Sequence, residues 1–365
     1  MADEATMAYI TAVVALAQRE DIDWYIPVSH TLSAVYDAEI AKRLLSTKAS
    51  LRSLSPCDPD LVAKLDNKWE FTLMGNQANV AVPSTFLLEN VERLQALHAA
   101  GTFDGRRYFL KPINQFSQDR TVFRTIPGRI AGSEKRDNLF GKFVSHYRNK
   151  ITPETPYLAT EFLVGPEYSC NVIARRGRVI ALSISKSSQM QIDYEVVDSN
   201  AITEWVNGFV NFHRLTGSFC FDFIACTSGP EASRTLCIEC NPRTHSSLVL
   251  YQGSPRVEKA IFRALEPEAD GRQVLPDERL PLRPDPTTPH VYWIYNEVGK
   301  VFRQESDLFN LMKLVVYGKE AIFDLRDPAP FFALYCVQMP EILYRQVLNP
   351  SPWRVTNVCM GGIRY

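Results

Sequence analysis

The 365-residue sequence lacks the features that mark several large classes of protein. It has no internal repeat and no low-complexity tract, and its 45% hydrophobic and 22% charged residues exclude a disordered, collagen-like or coiled-coil chain. Forty Lys and Arg residues against 41 Asp and Glu residues leave a formal charge of -1, with no basic block. We therefore do not expect a general nucleic-acid surface.

Long hydrophobic runs are also missing. The most apolar N-terminal stretch, 8–17, is much shorter than the roughly 20 residues that a bilayer span needs, and charged residues flank it. The N-terminus is acidic and does not resemble a signal peptide. These absences predict a cytoplasmic protein that does not enter a membrane.

Cysteine and histidine residues are too scattered along the sequence to predict a disulfide framework or a metal site. Eight cysteines in 365 residues, without a secretory signal, favour reduced thiols. Cys237 and Cys240 have CxxC spacing, but a structural zinc site needs four ligands and the sequence has no second such pair. No two of the six histidines form an HxH or HxxxH pair. We therefore expect structural thiols rather than a zinc site.

The periodicity of the chain predicts an α/β (α+β) protein with several lobes, because one hydrophobic core seldom grows to this length. Residues 1–60 are predicted to form a helix, a strand and a second helix. This is part of a Rossmann-like lobe that is truncated at its N-terminal end. Helical and then period-two patterns fill residues 61–270. Prolines after about Gly271 lead into a C-terminal extension, residues 271–365.

Some local predictions are more specific. The patterns predict one helix over Asp60–Met74 and another over Leu88–Ala99, with Gly101 in a left-handed C-cap position. Two later β-like runs are joined at Arg176 and Gly177, which suits the tight turn of a hairpin.

The most informative stretch is the predicted strand 236–243 (LCIECNPR). Alternation places one set of side chains on a single face, namely Cys237, Glu239, Asn241 and Arg243. In the preceding strand, 218–225, Asp222 faces away from three phenylalanines. An Asp in such an apolar strand is costly to bury unless it is paired or bound to a cation.

A hairpin of these two strands would bring Asp222 beside Glu239 and Asn241. Two carboxylates and an amide oxygen form a hard-oxygen site suited to Mg²⁺. The alternative is a buried salt bridge from Arg243 to Asp222 or Glu239.

The order of these residues resembles the magnesium-binding signature of the ATP-grasp superfamily. The resemblance covers about 60–250 and implies an ATP-grasp fold, with a hinged lid at about 85–160 and a magnesium-binding core at about 161–270. It also implies ATP and Mg²⁺ as cofactors, and the metal ligands would be Asp222, Glu239 and Asn241.

The resemblance also implies roles for residues upstream. Lys68 would be the first nucleotide lysine, and Lys111, in the lid strand YFLKP, would reach the α- and β-phosphates. The remaining nucleotide contacts would come from Glu161 and the backbone of Phe162 and Leu163 to adenine, and from Glu167 to the ribose. Arg243 would act with Lys111 in catalysis by holding the transferring phosphoryl group.

The predicted lid loop departs from the superfamily. Such loops are usually rich in glycine, so that backbone N–H groups can approach phosphate. The stretch Ile113–Thr121 contains no glycine. Side-chain donors of Ser117, Gln118 and Arg120 would have to replace the backbone groups.

The segments 60–87 and 327–343, followed by Trp353 and Arg354, are similar to the ligases of mycosporine-like amino acid biosynthesis, the mycosporine-glycine synthases. That likeness implies phosphorylation of a cyclohexenone oxygen of the 4-deoxygadusol type and its replacement by the amine of an amino acid such as glycine.

Two alternatives stay open. One is an amide- or peptide-forming ligase that acts through an acyl-phosphate, and the other is a non-catalytic, ATP-binding regulatory protein. His245, Ser246 and Ser247 either contact the acceptor or are structural. The expected partners are a small-molecule acceptor and an amino acid, and homo-oligomerisation is left open.

Overall fold

The computed structural model describes residues 4–28, 33–113, 124–128, 134–187, 193–252, 254, 258, 261–262 and 281–348. Helices and strands are interspersed along the chain, which confirms the predicted α/β (α+β) class. The described helices are α1 (Glu4–Arg19), α2 (Ala34–Thr47), α3 (Pro59–Asp66), α4 (Lys68–Gln77), α5 (Val91–Ala99), α6 (Glu134–Tyr147), α7 (Asn200–Phe212), α8 (Ile294–Phe302), α9 (Leu308–Tyr317), α10 (Ala329–Phe332) and α11 (Met339–Leu348).

Two further helical turns are described. A 3₁₀ helix covers Ser246–Tyr251, and a π-helical turn, Ala333–Gln338, joins α10 to α11. The described strands are β1 (Trp24–Tyr25), β2 (Arg52–Ser53), β3 (Thr85–Leu88), β4 (Tyr108–Pro112), β5 (Arg124–Thr125), β6 (Tyr157–Glu161), β7 (Glu167–Arg175), β8 (Arg178–Lys186), β9 (Asp193–Tyr194), β10 (Gly217–Ala225), β11 (Thr235–Asn241), β12 (Val291–Tyr292) and β13 (Lys319–Glu320).

The main sheet has the strand order β11–β10–β7–β8, and all of its pairs are antiparallel. The predicted tight turn between β7 and β8 is confirmed, since Arg176 and Gly177 both have positive φ angles, 48° and 83°. A two-residue turn of this kind matches the right-handed twist of the strands that it joins. The main sheet is therefore built from hairpins and carries two distinct faces.

One face of the main sheet is packed with aromatic side chains. Phe219, Phe221 and Phe223 of β10 are fully buried there, against Trp205 and Phe209 of α7. The Trp205 indole N–H donates to a backbone carbonyl, that of residue 81, at 2.8 Å, so its single polar group is satisfied. This packing holds β10 in place and leaves the polar side chains of that strand on the opposite face.

A second sheet, with the order β3–β6–β4–β5, has a core of its own. Side chains of α5 and α6 cover it, including Leu94, Leu97 and Val144. Two small assemblies complete the described fold. The parallel pair β1–β2 lies beside α1 and α2, and the three-stranded sheet β13–β12–β9 lies beside α8 and α9.

Two helix predictions are wrong in detail. The helix expected over Asp60–Met74 is divided into α3 and α4, because Asn67 leaves the helical region (φ −81°, ψ 116°) and caps α4. The helix expected from Leu88 starts only at Val91, since the residues before it form β3. The predicted positive φ of Gly101 is confirmed at 78°.

The predicted face of Cys237 is also wrong. The pairing of β10 with β11 shifts after Asp222, so that Phe223 pairs with Cys237 and residue 238 has no partner across the ladder. This β-bulge turns Cys237 into the aromatic core together with Cys240, while Glu239 and Asn241 stay on the other face.

Several predictions fall outside the described residues, including the lid loop beyond Ile113, the run before Arg124, Trp353 and Arg354. Within the part of the chain that is described, seven cysteines are free thiols. No helix among the described residues combines the length and the apolar character that a membrane span requires.

Candidate functional site

The site is centred on two carboxylates of the main sheet. Asp222 on β10 pairs in register with Glu239 on β11 and, on its other side, with Ser169 on β7. The Ser169 hydroxyl donates to Asp222 Oδ1 at 2.7 Å. Burial and the neighbouring negative charge of Glu239 raise the pKa of Asp222. Two acids at adjacent ladder positions create a strong negative potential that a cation would neutralise.

Asn241 and Arg243 lie beside this pair. The Asn241 Nδ2 donates to Asp222 Oδ2 at 3.1 Å, and the Arg243 guanidinium donates to Asn241 Oδ1 at 3.2 Å. The amide thus links the acid to the guanidinium. The buried salt bridge considered as the alternative, from Arg243 to Asp222 or Glu239, is not formed among the described residues.

Lys68 supplies the salt bridge that Glu239 does make. The Lys68 Nζ lies 2.7 Å from Glu239 Oε2, and its charge lowers the pKa of Glu239. The break between α3 and α4 produces this position. Asn67 Oδ1 accepts hydrogen bonds from the backbone N–H groups of residues 69 and 70, at 2.9 and 3.2 Å, and makes Lys68 the first residue of α4.

Lys111 is the most unusual charged group of the site. It lies on β4 of the second sheet, only 9% exposed, and its Nζ has no carboxylate within salt-bridge distance among the described residues. Burial and the positive charge of Lys68 lower the pKa of Lys111 to about 7. A buried amine beside another amine lowers the stability of the fold unless an anion binds there.

Two residues near these groups were not predicted as part of the site. Ser169 holds the carboxylate of Asp222, and Asp66, the last residue of α3, is close enough to interact electrostatically with Arg243, Glu239 and Lys68. Alternation along β7 could have placed Ser169 on the face of Glu167. Nothing in the sequence indicates that α3 ends beside β11.

The segment predicted to hold adenine follows β6. Glu161 is buried, and its two carboxylate oxygens lie 3.2 and 3.3 Å from one nitrogen of Arg106. The Phe162 N–H donates to the Arg107 carbonyl at 2.7 Å, and the Arg107 guanidinium lies 4.3 Å from the centre of the Phe162 ring. The Leu163 N–H makes no backbone hydrogen bond within the described residues.

Arg106 links the two sheets. The nitrogen that contacts Glu161 also lies 3.3 Å from Glu231, in the loop between β10 and β11, and Glu231 in turn pairs with Arg234. Burial raises the pKa of Glu161, and Arg106 opposes that rise. The acid predicted to contact adenine is therefore paired with an arginine.

Gly165 allows the segment after β6 to run against β10. A Cβ atom at Gly165 would lie 1.9 Å from the Ala225 carbonyl oxygen, so no larger residue fits there. Thr227 N–H donates to the carbonyl of residue 164 at 2.8 Å and anchors the same segment. Glu167 follows at the start of β7, on the same face as Ser169, where its charge contributes to the raised pKa of Asp222.

The residues after β11 have mainly local contacts. His245 is buried, its Nδ1 lies 2.9 Å from the Ser247 hydroxyl, and burial lowers its pKa to about 3, so the ring is neutral at pH 7. Ser246 contacts the Tyr194 hydroxyl at 2.5 Å. These contacts favour a structural role for the three residues, which the sequence had left undecided.

The site therefore joins three basic side chains to a pair of acids and an amide. Hard oxygen ligands suit a divalent cation such as Mg²⁺, and the lysines and the arginine suit a polyanion such as a chain of phosphates. Within the described ranges, no group of three or more His, Cys, Asp or Glu side chains is arranged to hold a metal. A cation here would be held by two carboxylates and an amide.

Comparisons with protein-family models and with curated protein sequences found no match. Comparison with solved structures found similar chains. An L-amino acid ligase from Bacillus licheniformis is 15% identical with a TM-score of 0.43, over 72% of this chain and 57% of that chain. A biotin carboxylase from Campylobacter jejuni, in a β-γ-ATP complex, is 15% identical with a TM-score of 0.45, over 72% and 59%.

An N5-carboxyaminoimidazole synthetase from Staphylococcus aureus, complexed with ADP, is 15% identical with a TM-score of 0.40, over 59% of this chain and 53% of that chain. The chain thus spans little more than half the length of these three proteins. TM-scores below 0.5 do not establish a shared fold.

Proposed function

We propose that the protein is an ATP-grasp ligase that uses Mg-ATP to join a small acceptor to an amine. The observation that carries this proposal is the convergence of Lys68 and Lys111 on the acid pair Asp222 and Glu239. A purely structural ion cluster would pair each buried cation with an anion. No carboxylate of the described residues lies within salt-bridge distance of Lys111, although the more distant charge of Glu239 acts on it, and nucleotide phosphates would supply a direct partner.

The residues have the following proposed roles. Asp222, Glu239 and Asn241 would hold Mg²⁺, which would stabilise the negative charge of the phosphates. Asn241 Oδ1 accepts one hydrogen bond from Arg243 and keeps a second lone pair that could bind the cation. Arg243 uses one of its five N–H donors on Asn241, so the others could hold the transferring phosphoryl group through two parallel hydrogen bonds.

The nucleotide base would lie against the segment after β6. Glu161 and the backbone of Phe162 and Leu163 are the proposed adenine contacts, with Glu167 at the ribose. The Phe162 N–H already donates to Arg107, so the contacts would come from the Phe162 carbonyl and from Leu163. Arg106 holds the Glu161 carboxylate in place and opposes the rise in its pKa that burial causes, which favours a carboxylate that can accept from an amino group.

The proposed reaction has two steps. The γ-phosphoryl group passes from ATP to an oxygen of the acceptor, which releases ADP. The amine then attacks the carbon that bears this oxygen, loses a proton and expels inorganic phosphate. Positioning and charge stabilisation supply most of the catalysis, because phosphate is a good leaving group. A cyclohexenone of the 4-deoxygadusol type with glycine is the specific pair that we propose, and a carboxylate acceptor is the alternative.

The test measures phosphate release by the full chain with Mg-ATP, a panel of amino acids and either cyclohexenone or carboxylate acceptors. We expect release only when acceptor and amine are both present. Glu239→Gln should lower that rate by at least about 10²-fold, because it removes a charge next to the transferred group. The matched control is Glu195→Gln, which neutralises an exposed acid paired with Lys186.

Binding of MgADP, measured by titration calorimetry, tests the nucleotide site without any acceptor. Absence of heat with MgADP would contradict the nucleotide site itself. Binding without turnover on any acceptor would contradict the ligase assignment and favour a nucleotide-binding regulatory protein.

A further inference from the structure

The polar face of the main sheet extends beyond the residues that the proposed nucleotide and metal site uses. Directly paired residues of antiparallel strands have their side chains on the same face, and so do residues two apart along one strand. The register therefore defines two rows across the face that carries Asp222. The first row is Glu239, Asp222, Ser169 and Ser185, and the second is Asn241, Cys220, Asn171 and Ser183.

Two members of these rows, on β7 and β8, are buried without hydrogen-bond partners. Asn171 is 0% exposed, and neither its Nδ2 nor its Oδ1 has a partner among the described residues. Ser185 is 1% exposed, and its hydroxyl likewise has no partner there. A buried amide without partners opposes folding, and such groups are rare. A bound group that supplies the missing hydrogen bonds would remove this cost.

Burial increases along β7 in the direction that leads away from the proposed ribose acid. Glu167 and Ser187, which are joined by a backbone hydrogen bond of 2.9 Å, are partly exposed. Asn171, further along the strand on the same face, is fully buried. Ile173 follows and packs against Tyr251 in an apolar cluster. The polar face therefore begins at the nucleotide residues and ends at an apolar wall.

The distance across this face suits a small molecule. Asn171 and Asp222 lie on neighbouring strands and differ by one row, which separates their Cα atoms by roughly 8 Å, given strands about 4.8 Å apart and a rise of about 3.4 Å per residue. One six-membered ring with its substituents spans such a distance. An acceptor whose reacting oxygen lies near Asp222 would therefore reach Asn171 with its other end.

The two rows also define the chemistry of that other end. The Asn171 amide can both donate and accept hydrogen bonds, and so can the Ser185 hydroxyl. The rows contain no basic side chain, and their charged members, Asp222 and Glu239, are acids. A carboxylate would lack a cationic partner beside Asn171 and would be repelled by the acid pair. Uncharged hydroxyl groups, which donate and accept, match the unpaired atoms.

We propose that Asn171 and Ser185 form an acceptor subsite that binds uncharged hydroxyl groups, at the end of the acceptor remote from the transferred phosphoryl group. This inference rests on the proposed ligase function and deepens it. It selects a hydroxylated ring over an acceptor that is charged or apolar at that end. Both residues determine specificity and take no part in the bond-making steps.

The test is calorimetric titration of the acceptor into the full chain loaded with MgADP, so that no turnover is needed. One probe is a cyclohexenone with hydroxyl and hydroxymethyl groups on its ring, and the other is the analogue with methyl groups in their place. We expect the wild type to bind the hydroxylated probe at least about tenfold more tightly. Methyl groups would leave the amide of Asn171 unpaired.

Substitutions of the two residues should remove this preference. Asn171→Leu should weaken binding of the hydroxylated probe by about tenfold or more, and Ser185→Ala by roughly three- to tenfold, with the affinity for MgADP unchanged. Ser218→Ala is the matched control, since Ser218 is 0% exposed and its hydroxyl has no partner among the described residues either. Ser218 lies outside the two rows, where its N–H donates to the Leu54 carbonyl at 2.7 Å. The control should bind the probe as the wild type does.

Urea denaturation accompanies the titrations. Asn171→Leu should not lower the free energy of unfolding, because it removes a buried amide without partners. Equal affinities of the wild type for the two probes would overturn the subsite, and so would an unchanged preference in both Asn171→Leu and Ser185→Ala. A loss of stability in Asn171→Leu with unchanged binding of the probe would also overturn it, and would identify an amide that bonds only to ordered water. Absence of MgADP binding would instead contradict the proposed ligase function together with this inference.

Discussion

The main sheet and the C-terminal helices depart from the usual distribution of side chains in opposite directions. Charged side chains such as Asp222 in the main sheet and Lys111 on β4 are buried. On α9 and α11, by contrast, large apolar side chains such as Phe309 are exposed to water. Neither arrangement stabilises an isolated chain. Binding of a polyanion and a cation would make the buried charges favourable. Contact with an apolar surface would do the same for the exposed apolar side chains.

The two regions also differ in how the surrounding protein supports them. Beneath Asp222, a fully buried aromatic layer fixes the strand, and Ser169 and Asn241 fix the carboxylate. The exposed apolar side chains of α9 lie on one helix, which packs through its other side on α8 and β13. A site that requires fixed geometry needs side chains that are held by packing and hydrogen bonds, whereas a surface that only buries area does not.

Neutralising Asp222 should have the largest effect. Asp222→Asn removes one of the two adjacent negative charges, so we expect turnover to fall by about 10²–10³-fold. Stability should change by less than about 1 kcal/mol, because the amide can still accept from Ser169 and one repulsive charge is lost. Phosphate release and urea denaturation measure the two effects. A large loss of stability would mean that the acid is structural.

Lys111→Met should separate function from stability. We expect the affinity for MgADP to fall by about tenfold, since one phosphate contact disappears, while the free energy of unfolding rises by about 2 kcal/mol. The folded-state pKa of Lys111, about 7, is below its ordinary value of 10.5, so folding opposes its protonation. The free-energy cost of burying this amine grows as the pH falls below 10.5 and reaches its full value below about 7.

The stability gain of Lys111→Met should therefore be largest at pH 7 and below, and should vanish above about pH 10.5. Denaturation curves at pH 7 and pH 10 measure this difference. Lys150→Met is a matched control, because Lys150 is exposed and its substitution should leave stability nearly unchanged. A gain that does not depend on pH would contradict the depressed pKa.

The smallest expected effect is the pH dependence of nucleotide binding. Lys111 must be protonated to attract phosphate, so the dissociation constant for MgADP should rise several-fold as the pH increases from about 6 to 9. Bound phosphate raises the pKa of the amine again, so binding near pH 8 should take up a proton. Calorimetry in buffers of different ionisation enthalpy measures this uptake. Equal proton uptake by wild type and Lys111→Met would exclude Lys111 as its source.

Local pattern was enough to find the hairpin of β10 and β11. The alternation of phenylalanines with Asp222 predicted which side of β10 would be packed, and the spacing of Glu239 and Asn241 predicted their common face. The same alternation failed at Cys237, because a bulge inserts one residue and shifts the register. Asn67 is a recognisable helix cap, but the apolar period continues across it, so the break between α3 and α4 was missed.

The sequence alone determined the α/β (α+β) class and the residues of the acid pair, because both depend on contacts between neighbours along the chain or across one hairpin. Only the tertiary structure decided that Lys68 meets Glu239, that Lys111 is buried beside another cation and that Arg106 pairs with Glu161. These contacts join separate elements, and their energies depend on burial and on distance in space. A one-dimensional pattern records neither quantity.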